Sequence, residues 1–391
     1  MDKALADLIK ISNATGKDPA LTQGSSGNTS VKTDDGEFMY IKAGGTTLKD
    51  MSVKRGWRRL RLDAVLAVIK DEKLAKLPAG VREREVINRL LAACDDNVTS
   101  SARPSVEAHL HALLDKCVIH LHPVVIGAYV NAKKGRRAIE KLFKNEKYPP
   151  LWIPYAPPGF MLAKKAARLV AGYRRRYGGK PAIMLLAKHG LFVIAKMPAG
   201  ALRLVRKVIN RCRKNLPKPK PLRPPCPERP VVSMVEPSRR ACHYKQQIRT
   251  AKLAIRKALF TVTGCSLPVS HYFSKDITDF ISRPDAAKLL AKGALGPAEL
   301  VYNGVPVWVE KPSAGKITAI LKKLVNKGQK PPSAFVVKGL GLFVAADKKT
   351  TPTIAEVAAG SLMVRRWASH LGGVLTLTPA EQNLIAGQVF V

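Results

Sequence analysis

Val118-Ile119-His120-Leu121-His122-Pro123 decides how this chain is read. Apolar residues lead into two histidines one residue apart. Side chains on a strand alternate between its faces, so His120 and His122 project from the same side. Burying two imidazoles on an apolar strand costs free energy unless both are bonded or ligated. Packing explains such a pair poorly. It reads as half of a metal site at the end of a buried strand.

His189 supplies a third imidazole. It lies between two apolar stretches, Ala182–Ala187 and Leu191–Ala195, and precedes Gly190, which places it at a tight turn. Three imidazoles leave an open coordination position, as in catalytic zinc sites, so zinc or another divalent metal is the expected cofactor. Glu107, on the segment before the His120 strand, reads as a fourth ligand, a proton carrier or a surface charge. His109 and His111 follow it as supports for the ligands or, more simply, as packed or solvent-facing residues. Two small-residue loops come earlier, Gly24–Ser30 and Gly44–Thr47. Their backbone N–H groups and hydroxyls suit an anion, though neither matches a P-loop or GxGxxG pattern.

The 391 residues allow two domains with substantial cores. No apolar run approaches the roughly 18 residues that cross a bilayer, and Met1-Asp2-Lys3 leads into an amphipathic helix rather than a signal peptide. A soluble, cytoplasmic protein is the expectation. The six cysteines are scattered without a CxxC, so neither a zinc ribbon nor a redox motif is offered, and reduced thiols are expected. The charge is unusual: 67 Lys+Arg against 28 Asp+Glu give +39, far beyond the magnitude of about 2–8 typical of a small domain. Such a surface attracts nucleic acid non-specifically. No recognition helix, RNP-type strand or finger spacing supports a dedicated nucleic-acid binder.

Along the chain, residues 2–13 read as a helix, Thr29–Lys32 and Phe38–Lys42 as a hairpin about Asp34-Asp35-Gly36, and Leu62–Lys70 as a strand or short helix. Val81–Cys94, Ser105–Lys116, Val124–Asn131, Phe160–Tyr177, Leu202–Asn215 and Arg239–Leu259 read as helices. The stretch after Asn131 reads as a basic loop and Trp152–Gly159 as irregular. Two domains joined by a linker follow: 1–215, a proline-rich linker at 216–236, and 237–391. Lys188-His189-Gly190-Leu191-Phe192-Val193 is echoed by Gly339-Leu340-Gly341-Leu342-Phe343-Val344, which suggests a duplicated unit whose second copy has Leu340 in place of the ligand.

The order of motifs, Gly27-Asn28-Thr29-Ser30, Lys42-Ala43-Gly44-Gly45-Thr46, Pro104-Ser105-Val106-Glu107, His120-Leu121-His122-Pro123, Pro154–Gly159 and Lys188–Val193, resembles the class II aldolase/adducin family. The resemblance covers about residues 1–210. More weakly, the second half resembles long members related to the aldolase part of bifunctional rhamnulose-1-phosphate aldolase/alcohol dehydrogenases. No strand–GxGxxG–helix unit of a dehydrogenase is present in the sequence.

The resemblance implies a three-layer α/β/α fold with a mainly antiparallel central sheet. It places His120, His122 and His189 on the family's zinc ligands and Glu107 on its acid/base carboxylate. Asn28, Gly45 and Ser105 fall on positions that hold the substrate phosphate, with Thr46 adjacent. The implied activity is reversible aldol cleavage of a ketose 1-phosphate through a zinc-stabilised enediolate, by a homo-oligomer. Epimerisation or decarboxylation at the same site is the alternative, as is a non-catalytic adducin-like or nucleic-acid-binding scaffold. Tyr155 is the candidate proton donor to the departing aldehyde oxygen. Four departures bear on substrate and phosphate binding: Gly44 for Ser or Thr, Val106 for a second serine, Lys188 for Asn, and Gly296–Glu299 for Thr-Pro-Asp-His.

Overall fold

The computed structural model describes residues 2–96, 102–216 and 236–386. The chain divides into two compact units. One comprises Met1–Leu216 with Leu295–Pro297 and Leu371–Val391; the other comprises Pro217–Ala294 and Ala298–His370. The short returning segments join the first unit, whereas the sequence reading gave them to the second. Periodicity carries no signal for such a return. It is made by backbone pairing, with Ala132 bridged to Val374 and the Leu375 N–H donating to the Asn131 carbonyl at 2.7 Å. The proline-rich linker expected at 216–236 lies, apart from its two ends, outside the described residues.

Seven described strands build the sheet of the first unit: β1 (Asn28–Lys32), β2 (Phe38–Lys42), β3 (Trp57–Arg61), β4 (Cys117–Leu121), β5 (Leu151–Ile153), β6 (Ile183–Leu186) and β7 (Gly190–Ala195). Their order is β3-β2-β1-β4-β7-β6-β5. Every pairing is antiparallel except β5 with β6. β4 is buried along its whole length because β1 and β7 flank it and helices cover its faces. On one face, Val118, Met184 and Phe192 pack with Leu162 and Ala166 of the Phe160–Tyr177 helix. Met39, Ile41 and Leu60 pack there with the Leu62–Lys70 and Ala79–Ala92 helices. Alternation turns Cys117, Ile119 and Leu121 the other way, where the Lys3–Gly16 and Pro198–Lys214 helices adjoin β1, β4 and β7. This is a mixed α/β fold with a helix-covered central sheet.

Local chemistry explains where the elements differ from expectation. The helix expected over Ser105–Lys116 shortens to Ala108–Ala112. Pro104 is bridged to Ala43, and the Lys32 ammonium binds the carbonyls of His111, Leu114 and Asp115. A cation on those carbonyls satisfies acceptors that a longer helix would use. β3 and β5 emerge from charge-dense and proline-bounded stretches that mask a strand pattern. The stretch read as a basic loop contains a helix, Gly135–Leu142. Leu62–Lys70 resolves as helix.

The second unit holds four described strands: β8 (Val269–Tyr272), β9 (Val307–Val309), β10 (Ala334–Val337) and β11 (Gly341–Ala345), in the order β8-β11-β10-β9. β9 pairs with β10 in parallel and the others are antiparallel. The same order and directions run through β4-β7-β6-β5 of the first unit. Equivalent positions lie 151 residues apart: His120 and His271, Lys188 and Gly339, His189 and Leu340, Gly190 and Gly341, Phe192 and Phe343. The register agrees as well, since His120 sits opposite Phe192 and His271 opposite Phe343. A buried pair in this unit, Arg365 with Glu299, is bidentate at 2.7 and 3.0 Å. Glu299, the last residue of the Gly296–Glu299 stretch, is an internal ion-pair partner.

Candidate metal centre

β4 carries the site. Its register places Asn28 of β1 opposite His120, and Phe192 of β7 opposite it on the other side. The His120 ring stacks on Phe192 with centroids 4.1 Å apart. His120 Nδ1 lies 3.0 Å from the Leu191 carbonyl oxygen. A carbonyl only accepts, so Nδ1 carries the proton and the Nε2 lone pair is free to bind. The turn between β6 and β7 brings His189 to the same point. Gly190 is required there, because a Cβ would stand 2.6 Å from the Leu121 carbonyl and the His122 ring. Gly27, at φ +77°, allows an equally close approach to the His120 carbonyl.

The three imidazoles converge. One ligand nitrogen from each of His120, His122 and His189 falls within 4.8 Å of the others, and the Nε2 atoms of His120 and His122 are 2.9 Å apart. Burial holds all three rings neutral. The pKa values of His120 and His189 are lowered to about 3, and that of His122 lies well below 6.5. With Nδ1 of His120 protonated, the contact between the Nε2 atoms is a hydrogen bond from His122 Nε2–H to His120 Nε2, while the Nδ1 atoms of His122 and His189 have no partner among the described residues. The same convergence of neutral nitrogens suits a cation. The donor set fits a divalent metal that accepts nitrogen ligands.

Glu107 stands beside the cluster, 4% exposed. It is the residue before the Ala108–Ala112 helix. Its Oε2 accepts from Asn28 Nδ2 at 2.8 Å and lies 3.4 Å from His120 Nε2. Its Oε1 lies 3.7 Å from His189 Nε2 and has no hydrogen-bond partner among the described residues. The carboxylate is therefore held by an amide at one oxygen and left open at the other, next to the ligand nitrogens. The surface-charge reading of Glu107 does not survive this burial. His109 and His111 are wholly buried rather than solvent-facing; His109 stacks on Phe160, and His111 bonds Ser30 Oγ at 2.8 Å.

The phosphate candidates lie close in the fold but form a looser group. Ser105 Oγ accepts from the Glu107 N–H at 3.3 Å, and the Ser105 N–H donates to the Lys42 carbonyl. Gly45, at φ +73°, has open space where a Cβ would be, and Gly44 N–H is taken by the Arg103 carbonyl at 2.7 Å. The Thr46 methyl packs towards Gly56. Lys42 was missed in the sequence. Its ammonium is buried at this loop, with the Ala43 carbonyl 3.4 Å away, and burial lowers its pKa to about 8. A lysine ending the apolar run Met39-Tyr40-Ile41 was the available signal. Tyr155 has a buried hydroxyl without a partner among the described residues, and its ring lies under the Lys188 ammonium. A cleft of about 850 Å³ touches Tyr155, Arg82 and Lys164, but the imidazoles do not line it.

The family sequence model for the Class II Aldolase and Adducin N-terminal domain matches residues 6–216. The chain belongs to this family. The uncharacterized oxidoreductase YuxG of Bacillus subtilis (strain 168) is 30% identical over 199 residues, 49% of this chain and 26% of that protein. The chain thus spans about a quarter of the length of that curated relative. Among solved structures, the N-terminal class II aldolase domain of a conserved protein from Thermoplasma acidophilum is 26% identical. That alignment covers 55% of this chain and 94% of the other, at a TM-score of 0.45. A sugar-phosphate aldolase from Thermotoga maritima is 14% identical, covering 54% and 93% at 0.40. An L-fuculose 1-phosphate aldolase is 17% identical, covering 57% and 91% at 0.35. Among the described residues no helix is long and apolar enough to cross a membrane.

The buried histidines give the metal-free protein a distinct acid response. Desolvation lowers His109 to about 4 and His111 to about 3, alongside the three ligand candidates. Below the free imidazole value of 6.5 the unfolded chain takes up protons that the folded chain refuses. Stability is therefore full above pH 6.5 and falls as pH drops towards 4, by up to about 1.4 kcal/mol per pH unit for each such histidine. Urea midpoints of metal-free protein should decline steeply between pH 7 and 5; a flat profile there would mean the rings are not buried neutral.

Proposed function

We propose that the chain is a divalent-metal-dependent lyase that cleaves a ketose 1-phosphate by a reversible retro-aldol reaction, with zinc as the metal. The observation that carries this reading is Glu107, a buried carboxylate anchored by Asn28 with its second oxygen open beside His120 and His189. A structural metal site needs no such neighbour, whereas a proton-transfer reaction at carbon does.

His120, His122 and His189 would hold the ion, which when bound supplies Lewis-acid polarisation of a carbonyl oxygen. Cleavage of the C3–C4 bond leaves an electron pair on C3, as an enediolate. Glu107 Oε1 returns a proton to that carbon, and removes it in the condensation direction. Asn28 keeps the carboxylate aimed while it does so. Gly45, Thr46 and Ser105 would receive the phosphate through backbone N–H groups and hydroxyls, with the Lys42 ammonium adding charge at the same loop. The C4 hydroxyl loses its proton as the bond breaks; Tyr155 remains the candidate to take that proton in cleavage and to return it to the aldehyde oxygen in condensation. Cytoplasmic location and a homo-oligomeric state belong to the same reading.

We also infer that the second unit is a copy of the β4–β7 half of the first, emptied of its metal. The shared strand order, the common register and the constant spacing of equivalent residues support this. His271 stands for His120, but Phe273 and Leu340 stand for His122 and His189. His271 Nε2 is bonded instead to the Leu340 carbonyl at 2.9 Å. One working site per chain follows.

His120→Ala should abolish both bound zinc and turnover in a screen of ketose 1-phosphates. Glu107→Gln should retain the zinc and lower kcat by about 10²- to 10⁴-fold. Full zinc occupancy in the unmodified chain with no cleavage of any ketose phosphate would overturn the lyase reading; an epimerised or decarboxylated product would redirect it. For the second unit, Phe273→His combined with Leu340→His should raise Co²⁺ uptake from one to two ions per chain. A folded double variant that still binds a single ion would argue against common descent of the two sites.

A further inference from the structure

We propose that Lys188 and Glu381 are positioning residues for the third metal ligand, and that their ion pair ties metal affinity to the returning segment 371–386. The inference rests on the metal reading given above. It begins from a backbone anomaly. Lys188 has φ +56°, the one positive value at a non-glycine among the described residues. That region is unfavourable for a side chain with a Cβ and comfortable for glycine. The equivalent residue of the second unit is indeed Gly339, at φ +73°. Both turns are otherwise alike: the His189 N–H donates to Leu186 and the Leu340 N–H to Val337, each at 3.1 Å. Where the turn carries no ligand it uses glycine; where it carries His189 it keeps a strained lysine. The side chain must therefore contribute something that offsets the strain.

Its contacts say what. Lys188 Nζ binds both oxygens of Glu381, at 3.1 and 2.7 Å, and lies 5.2 Å above the Tyr155 ring. The pair is largely shielded, with side chains 13% and 21% exposed, so solvent screens it less than a surface pair. Glu381 is itself fixed. Thr378 and Glu381 form a capping box at the start of the Pro379–Ala386 helix: the Thr378 N–H donates to Glu381 Oε2 at 2.7 Å and the Glu381 N–H to Thr378 Oγ1 at 3.2 Å. The segment before this helix is bonded to the loop after Val130, where Leu375 N–H meets the Asn131 carbonyl. The Val130 carbonyl in turn accepts from the Lys188 N–H at 2.9 Å. Lys188 is thus held at both ends, backbone and ammonium, by one connected piece of structure. His189 follows it directly, so the direction of the imidazole depends on that hold.

Lys188→Gly separates the two roles of this residue, because it relieves the backbone strain while deleting the ion pair. Zinc affinity of the full chain, measured by competition with a chromophoric chelator, should fall about tenfold or more in Lys188→Gly and in Glu381→Gln, the loss usual when a residue supporting a ligand is removed. The thermal midpoint of metal-free Lys188→Gly should stay level or rise. The visible absorption of bound Co²⁺ should change in both variants, and the double variant should lose no more than either single one. Wild-type zinc affinity and an unchanged Co²⁺ spectrum in both single variants would overturn the proposal, as would additive losses in the double variant. Failure of the unmodified chain to bind zinc would instead remove the metal reading itself.

Discussion

The antiparallel seating of β4 between β1 and β7 is the constraint on which the site depends. It sets Asn28 opposite His120 on one edge and Phe192 opposite His120 on the other. A slip of one residue in either ladder would turn His120 and His122 to the opposite face. The same pairing presents the Leu191 carbonyl to His120 Nδ1 and so decides which nitrogen is left to bind. Glu107 then reaches the cluster through Asn28, a residue of β1 and not of its own helix. The sheet thus supplies position, while burial supplies neutral ligands. Both effects follow from seating the apolar strand β4 at the buried centre of the sheet.

Much of this was legible in the sequence. His120-Leu121-His122 on an apolar strand announces itself by period, and His189 by its place between two apolar runs and a glycine. The three imidazoles do converge. The hairpin about Gly36 and the Phe160–Tyr177 helix, ended by Gly178 at φ +69°, follow local signals that tertiary structure did not override. The phosphate candidates were less legible. Small residues announce a loop but not the direction of its N–H groups, and the Gly44 N–H is already taken by Arg103. Lys42 and Lys32 escaped notice because a lysine at a strand end normally reaches solvent, and here neither does. β3 and β5 were hidden by arginines and prolines.

What no local pattern could reveal is the return of the chain. Segment 295–297 joins the first unit through the Leu295 carbonyl, which accepts from Asn131 Nδ2, and segment 371–386 through backbone bonds that any sequence could make. Only Thr378-Pro379-Ala380-Glu381, a capping-box pattern, marks a helix start there. Lys188 had been visible as a departure from the family motif. The structure gives that departure a physical context: a left-handed residue whose ammonium meets Glu381. In the second unit a similar turn has Gly339 at that position, followed by Leu340 where the first unit has His189.

The central claim is that His120, His122 and His189 together hold one divalent ion beside Glu107. X-ray absorption at the zinc edge of the full chain tests it most directly. The account predicts one zinc per chain with three imidazole nitrogens at about 2.0–2.1 Å, a pattern lost in His189→Ala. Sulfur scattering, a shell without imidazole, or an unchanged spectrum after that substitution would contradict it.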